Sequence, residues 1–378
     1  MKRLMSKRPL VPSHIQHLIP YKPGKTVEEI KKNYDPPRIS KLASNENRLG
    51  CSKNVWPVVE KAFNGINNYP DPVARKLRAK IAERNGIAPE NVILGYGSES
   101  LIANLCRTFF GEDEAALTSE HTFANFYVYA NVEDVPCRKV SQTNDYRFDL
   151  PAIAGAITGQ TKLIYIANPN NPTGTYISKK EFETFMQQVP DDILVVMDEA
   201  YYEYARIRDD YPDSLDYDFD NLLTLRTFSK AYGLAGFRIG YGIGHRNLID
   251  MMLKTKLTFE ATALAQVAAS AAFDDSAFLE KSREMVEQGK RRLYSIFDRY
   301  GISYLPSVAN FVMMVLPDER TARNFTLEML KKGVIVRRLA GFGLPNCIRV
   351  TLGRKEEVDH FEDSFLDLFD KIFLKNSM

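Results

Sequence analysis

The chain has 378 residues, of which 44% are hydrophobic and 26% are charged, and its formal net charge is +2. This length favours a large and a small domain, and the composition is that of a globular protein with a sizeable core. The near-neutral balance argues against a nucleic-acid-binding surface, and no run approaches the roughly 20 apolar residues of a membrane span. Because the amino terminus has no apolar signal-peptide core, we expect a cytoplasmic protein.

The cysteines and histidines predict neither a disulfide framework nor a metal site. Cys51, Cys106, Cys137 and Cys347 are widely scattered, so we expect reduced thiols. The five histidines also lack the spacing of metal ligands. We therefore expect no bound metal.

Residues 1 to about 40 are predicted to form an arm, because prolines interrupt them repeatedly. Within the arm, Thr26 and Glu29 have the spacing of a capping box, which predicts a short helix starting there. A second helix is expected from Trp56 to Phe63.

Continuous apolar runs separated by helical patterns dominate the centre of the chain. They include NVIL at 91–94, LIYIA at 163–167, ILVVM at 193–197 and LLTL at 222–225. Such runs are typical of a mostly parallel sheet that helices cover on both faces. The sequence therefore predicts an α/β fold for this region.

Polar motifs follow these predicted strands. GYGS occupies 95–98, NPNNPTG 168–174, DEAYYEY 198–204 and TFSK 227–230. Open α/β sheets bind their ligands at the carboxyl ends of the strands. The GYGS turn offers backbone N–H groups to a phosphate at a helix N-terminus. Ser229 and Lys230 of the last segment, with Arg238 eight residues past the lysine, have the chemistry of a phosphate site beside a reactive amine.

The carboxyl-terminal part alternates helices and strands and predicts an α+β domain. One long helix is expected to lead into it, from about Arg246 across Ala261 to Phe273. The predicted domains are an arm at 1–40 that packs against the small domain, a large domain at 41–255 and a small domain at 256–378.

The segment TFSKAYGLAGFRIGY, residues 227–241, resembles the cofactor-lysine segment of fold-type I aminotransferases, which use pyridoxal 5′-phosphate. The similarity is closest to the histidinol-phosphate aminotransferase branch. Together with NPNNPTG and DEAYYE it follows the family's order, and the resemblance extends from about Ile19 to Gly353. It implies a pyridoxal-phosphate-transferase domain with a mostly parallel seven-stranded sheet, plus a smaller α+β domain built from the two chain ends.

The resemblance implies three catalytic residues. Lys230 would bind the cofactor covalently and later move the substrate's α-proton as general base. Asp198 would pair with the pyridine nitrogen and keep it protonated, so that the ring accepts electrons. Tyr201 would donate a hydrogen bond to the phenolic oxygen from one side, and Asn171 from the other.

Further cofactor contacts are implied by the same motifs. Phe123 would stack on the pyridine ring. Tyr69, in the segment INNYPDP, would cross a dimer interface to the phosphate in the neighbouring subunit, which implies a homodimer with shared active sites. The remaining implied contacts, most of them around the phosphate, are Ser98, Glu99, Thr227, Ser229 and Arg238.

Four residues are implied as substrate contacts. Tyr21 of LIPYKPGK would reach towards bound substrate, and Asn47 lies in the first loop of the large domain. Arg337 matches the arginine that meets a substrate phosphate, and Arg349 would clamp a carboxylate or an equivalent anion. The implied partners are a small-molecule amino donor and 2-oxoglutarate, with no nucleic acid and no membrane.

Three positions depart from the family's pattern. Arg48 and His121 stand where relatives commonly have proline, and residues 259–262 replace an asparagine-containing pattern. These departures lie in loops near the predicted site, so they leave the identity of the amino donor open.

The leading interpretation is transamination between L-histidinol phosphate and 2-oxoglutarate, giving imidazole-acetol phosphate and L-glutamate in histidine biosynthesis. The nearest alternative is an aromatic amino-acid aminotransferase. A pyridoxal-phosphate decarboxylase would instead release carbon dioxide, and a non-enzymatic cofactor-binding protein would catalyse neither reaction.

Overall fold

A computed structural model describes residues 10–18 and 25–374 of the chain. The helices are α1 Ser13–Gln16, α2 Val27–Tyr34, α3 Val55–Ala62, α4 Arg75–Asn85, α5 Gly97–Phe109, α6 Ala124–Val132, α7 Leu150–Gly155, α8 Lys179–Met186, α9 Tyr202–Ala205, α10 Arg246–Thr255, α11 Ala263–Phe273, α12 Ser276–Tyr300, α13 Glu319–Lys331 and α14 Lys355–Phe369. The strands are β1 Ser40–Lys41, β2 Val92–Gly95, β3 Ala115–Ser119, β4 Cys137–Val140, β5 Thr161–Ala167, β6 Leu194–Asp198, β7 Leu222–Thr227, β8 Gly240–Gly244, β9 Ser303–Leu305, β10 Phe311–Val315, β11 Val334–Ile335, β12 Arg337–Leu339 and β13 Leu344–Thr351.

The large sheet has seven strands in the order β2-β8-β7-β6-β5-β3-β4. Strands β3 to β7 pair in parallel, whereas β8 runs antiparallel to both β2 and β7. Every residue of the central strands β6 and β7 is buried, as expected for a sheet covered on both faces. The predicted mostly parallel α/β sheet is therefore confirmed.

A second sheet of four antiparallel strands has the order β12-β13-β10-β9. Next to it, β1 pairs in parallel with β11, with Ser40 opposite Val334. The amino-terminal segment thus joins the carboxyl-terminal part of the chain, and the smaller α+β unit is built from both. The exact domain boundaries stay a prediction.

The helix predicted from Arg246 to Phe273 is wrong, because two helices, α10 and α11, occupy this region. Lys256 has extended backbone angles at the end of α10. The Thr262 side chain accepts a hydrogen bond from the Ala265 backbone N–H and caps a new helix. By contrast, the capping box of Thr26 and its partner three residues later is present as predicted.

The carboxyl ends of β5, β6 and β7 lie side by side and face the start of α5, which positions the polar motifs around one space. Helix α5 begins directly after β2, so its first backbone N–H groups point to the same edge. Within the part of the chain that the structure describes, no helix combines the length and apolar character that crossing a membrane requires.

Candidate active site

A cavity of about 240 Å³ opens at the carboxyl edge of the large sheet. Its wall contains all the predicted cofactor contacts except Tyr69, namely Ser98, Glu99, Phe123, Asn171, Asp198, Tyr201, Thr227, Ser229, Lys230 and Arg238. Much of the remaining wall of the cavity is formed by Asn125, Ala167, Pro169 and Ala200. Residues from five separate segments of sequence therefore meet in one space.

Lys230 follows β7 and projects into this cavity. Burial, assisted by the positive charge of Arg349, lowers the pKa of its amine to about 8. Its Nζ atom lies 5.7 Å from the centre of the Tyr201 ring. A buried amine with a lowered pKa is partly neutral near neutral pH, which is the state that can act as a nucleophile or base.

Asp198 ends β6 and is only 4% exposed. The Tyr165 hydroxyl donates to its Oδ2 at 2.6 Å, and the Ala200 backbone N–H donates to its Oδ1 at 3.1 Å. Burial raises the pKa of Asp198, whereas these two hydrogen bonds and the charge of Lys230 oppose the increase. A bound cation would complete the stabilisation of this carboxylate.

The start of α5 and the loop after β7 form a cradle of donors. Gly97 has φ +77, and a Cβ atom there would lie 2.9 Å from Arg238 Nη2. Ser229 and Thr227 face this turn, and their side-chain oxygens are 3.0 Å apart. Hydroxyls, helix N–H groups and a guanidinium suit a phosphate dianion, so the residues present fit the phosphate of the implied cofactor.

Arg349 donates a hydrogen bond to Asn171 Oδ1 and another, at 2.8 Å, to the Ala43 carbonyl. Because a guanidinium can only donate, the amide oxygen of Asn171 is used by Arg349. The amide N–H₂ group of Asn171 is therefore the part left for an acceptor in the cavity. The resemblance implies that Asn171 donates to the cofactor, and this role stays a prediction.

Arg337 lies directly opposite Arg349 in the antiparallel pair of β12 and β13. Paired residues share a face of the sheet, so the two predicted anion-binding arginines lie side by side. Arg338 points to the other face, as expected, and its guanidinium bonds Glu319 at 2.7 Å.

Four predicted residues that the structure describes do not line the cavity, namely Asn47, Tyr69, Arg337 and Arg349. Asn47 donates to the Ala231 carbonyl and to Ser282 Oγ, each at 2.8 Å, so its amide anchors the loop beside Lys230. Tyr69 is 81% exposed and stacks on Phe259, with ring centres 4.4 Å apart. Tyr21 lies outside the described residues.

The departures at positions 48 and 121 have local structural reasons. The guanidinium of Arg48 pairs with Glu357 at 2.6 Å and ties the first loop to α14. His121 has φ 50, an angle that proline cannot adopt. Its Nδ1 lies 2.7 Å from the Phe342 carbonyl, so this loop is connected to the small sheet.

Sequence reasoning missed two residues that contact the predicted catalytic groups. Tyr165 was counted within an apolar strand, although a tyrosine in an otherwise aliphatic, fully buried strand needs a hydrogen-bond partner. Asn45 donates to the Tyr201 hydroxyl at 2.8 Å. Asn45 and Asn47 both belong to the segment NEN at 45–47, and no local feature of that segment distinguishes Asn45 as the contact of Tyr201.

Comparison with known proteins decides the family. A profile of the aminotransferase class I and II family matches residues 37–365. The chain belongs to this family. A histidinol-phosphate aminotransferase of Carboxydothermus hydrogenoformans is 41% identical to this aminotransferase over 91% of the chain and 95% of the relative. One of Halalkalibacterium halodurans is also 41% identical, over 90% of the chain and 92% of the relative.

Solved structures agree with this assignment of the aminotransferase. A histidinol-phosphate aminotransferase from Sinorhizobium meliloti, in complex with pyridoxal 5′-phosphate, superimposes with a TM-score of 0.87 at 27% identity, covering 97% of this chain and 99% of the other. An aspartate aminotransferase from Thermus thermophilus shares the fold, with a TM-score of 0.81 at 21% identity, covering 96% of this chain and all of the other.

Proposed function

We propose that this aminotransferase moves the amino group between L-histidinol phosphate and 2-oxoglutarate, giving imidazole-acetol phosphate and L-glutamate in histidine biosynthesis. The observation that carries this proposal is the placement of Arg337 directly opposite Arg349. Two adjacent guanidinium groups suit a substrate that ends in a phosphate and a second substrate that carries two carboxylates. The two relatives at 41% identity are named histidinol-phosphate aminotransferases, which supports histidinol phosphate as the amino donor.

The cofactor is pyridoxal 5′-phosphate, which supplies a carbonyl carbon for the amino group and a ring that takes up electrons. The cradle formed by Gly97, Ser98, Ser229 and Arg238 would hold its phosphate. Phe123 would stack on its ring. The donor set of the cavity fits each polar group of this molecule, so these contacts are consistent with one binding orientation.

Lys230 and Asp198 have complementary tasks in this proposal. Asp198 would keep the pyridine nitrogen of the cofactor protonated, and its carboxylate is oriented by Tyr165 and the Ala200 N–H. Lys230 would hold the cofactor, and its amine would take the proton from the substrate's α-carbon. The lowered pKa of Lys230, about 8, makes its neutral form available for this transfer.

Asn171 and Tyr201 both line the cavity and would donate hydrogen bonds to the phenolic oxygen of the cofactor. Asn171 offers its amide N–H₂ because Arg349 uses its oxygen. Tyr201 offers its hydroxyl hydrogen, since burial raises the pKa of the phenol above its ordinary value and keeps it protonated. Both groups would stabilise negative charge on that oxygen.

The aminotransferase is also proposed to be a homodimer in which Tyr69 reaches the phosphate site of the partner. The 81% exposure of Tyr69 and its absence from the cavity of its own chain support this. Large apolar side chains nearby in sequence are also exposed, among them Trp56, Phe63 and Ile66. Such a surface is typical of a contact with another protein chain.

A single-turnover experiment tests the proposed substrate. The cofactor-loaded protein is mixed separately with L-histidinol phosphate, L-glutamate and L-phenylalanine, and the absorption of the bound cofactor is followed. We expect fast conversion to the amino form with the first two and slow conversion with phenylalanine. Fast conversion by phenylalanine alone would favour an aromatic aminotransferase, and release of carbon dioxide would favour a decarboxylase.

A further inference from the structure

Asn45 lies in the loop after β1 and contacts Tyr201 in the interior of the protein. Its Nδ2 is 2.8 Å from the tyrosine oxygen, and the two residues are 1% and 3% exposed. Because an amide N–H only donates, the tyrosine oxygen accepts this hydrogen bond. The hydroxyl hydrogen of Tyr201 is therefore not used by Asn45 and can be directed into the cavity.

Thr351 fixes the orientation of the Asn45 amide. The backbone N–H of Asn45 donates to Thr351 Oγ1 at 3.0 Å. The threonine hydroxyl in turn donates to Asn45 Oδ1 at 3.0 Å, so the amide nitrogen faces Tyr201. Asn310 donates to the Asn45 carbonyl, also at 3.0 Å, and holds the backbone in place.

The same strand orients the second donor of the cavity. Arg349 and Thr351 lie two residues apart on β13, so they share one face of the small sheet. Arg349 occupies the oxygen of Asn171, while Thr351 occupies the oxygen of Asn45. Both arrangements leave a donor for the cavity that Asn171 and Tyr201 line, the amide N–H₂ of Asn171 and the hydroxyl of Tyr201.

We propose that Asn45 is a positioning residue that acts through Tyr201, keeping the tyrosine hydrogen directed at the phenolic oxygen of the cofactor. The proposal deepens the proposed function and rests on its cofactor site, but not on its choice of substrate. A hydrogen-bond donor stabilises the anionic form of that oxygen. Weakening the donor therefore raises the pKa at which the absorption of the bound cofactor changes.

The test is a pH titration of cofactor absorption in the holoenzyme, without substrate. In Asn45→Asp the new carboxylate accepts the tyrosine hydrogen and turns it away from the cavity, so we expect this pKa to rise by about one unit. Asn45→Ala should raise it by less. Tyr201→Phe lacks the hydroxyl donor and should therefore show the largest increase in this pKa, with which the Asn45 variants are compared. The melting temperature of each cofactor-free variant reports separately on folding.

The matched control is Asn346→Ala, which removes an asparagine of β13 that donates to the Leu316 carbonyl and does not line the cavity. If Asn45 has only a structural role, its replacement should lower the melting temperature and leave the pKa of cofactor absorption unchanged. The proposal is overturned if Tyr201→Phe shifts the pKa while Asn45→Asp and Asn45→Ala match the wild type, or shift it downwards. If Asn45→Asp does not fold, Asn45→Ala and Asn45→Ser decide. Inactivity towards histidinol phosphate would overturn only the proposed substrate, because this titration contains none.

Discussion

The hydroxyl of Tyr165 donates a hydrogen bond of 2.6 Å to Asp198 across the neighbouring strands β5 and β6. The tyrosine is fully buried, and its ring stacks on Phe126 with centres 4.3 Å apart. Burial, together with the adjacent carboxylate, raises the pKa of this phenol well above its ordinary range. Tyr165 therefore remains a donor at every physiological pH and favours the charged form of Asp198.

Replacing Tyr165 by phenylalanine should weaken cofactor binding and slow turnover, because Asp198 loses a donor to its charged form. A hydrogen bond to a charged group contributes about 1.5–3 kcal/mol, so we expect at least a tenfold decrease in kcat. The stacked ring is preserved, which keeps the fold. Tyr304→Phe is the matched control, since its hydroxyl donates to Asp298 in a more exposed position. Equal kinetics in both variants would contradict this role of Tyr165.

The rate at which the cofactor-free protein binds pyridoxal 5′-phosphate should rise with pH. The midpoint of the rise should lie near the pKa of Lys230, which is about 8, and the rate should level off above it. Only the neutral amine attacks the aldehyde, so the midpoint reports the amine's pKa. Arg349 lowers that pKa by its charge, and Arg349→Gln should move the midpoint upwards. Stopped-flow absorption from pH 6 to 10 measures it. Arg338→Gln, on the opposite face, should leave the midpoint unchanged.

The stability of the cofactor-free protein should depend on Glu203, a carboxyl that is 4% exposed beneath the site. Burial raises its pKa from 4.5 to about 7. A raised carboxyl pKa favours folding below the unfolded value of about 4.5, and that advantage is lost as pH increases through about 7. Glu203→Gln should therefore be about 3 kcal/mol more stable than wild type at pH 8 and about 1 kcal/mol more stable at pH 5. Urea unfolding at both values measures this, and a difference independent of pH would refute it.

Mixing two inactive variants tests whether Tyr69 acts in the neighbouring subunit. In a mixed dimer of Lys230→Ala with Tyr69→Ala, one site has lost both residues and the other has both intact. Random exchange of subunits should therefore restore about a quarter of wild-type activity. If Tyr69 served its own chain, each site of the mixed dimer would lack one residue. No recovery, with exchange confirmed by mass, would then exclude the shared site.

Much of the site could be predicted because its chemistry follows strands with a clear pattern. Asn171, Asp198 and Lys230 come shortly after continuous apolar runs, and parallel pairing brings the carboxyl ends of such strands together. The contact between Tyr165 and Asp198 was not predicted, because a buried tyrosine needs a hydrogen-bond partner but the apolar pattern does not show which residue it is. The break between α10 and α11 was not predicted because it depends on Thr262, whose side chain caps the start of α11. Hydrophobic periodicity does not show such a cap.

Asn45 could not be predicted to contact Tyr201 from any local pattern. Its position depends on the pairing of β1 with β11 and on the bonds to Thr351, which lies 306 residues further along the chain. No apolar period or motif spacing carries that information. Only the tertiary arrangement of the two chain ends places this asparagine over the site.

The same long connection has a consequence for synthesis of the protein. Ala43 and Asn45 obtain their partners Arg349 and Thr351 only after 306 further residues have been added. The seven strands of the large sheet all precede α12 in the chain, so they can assemble while β13 is still being translated. In a nascent chain Lys230 and the phosphate cradle can therefore form early. The arginines Arg337 and Arg349 join the site only when synthesis is almost finished. The site is therefore complete only when both ends of the chain have been synthesised and have folded together.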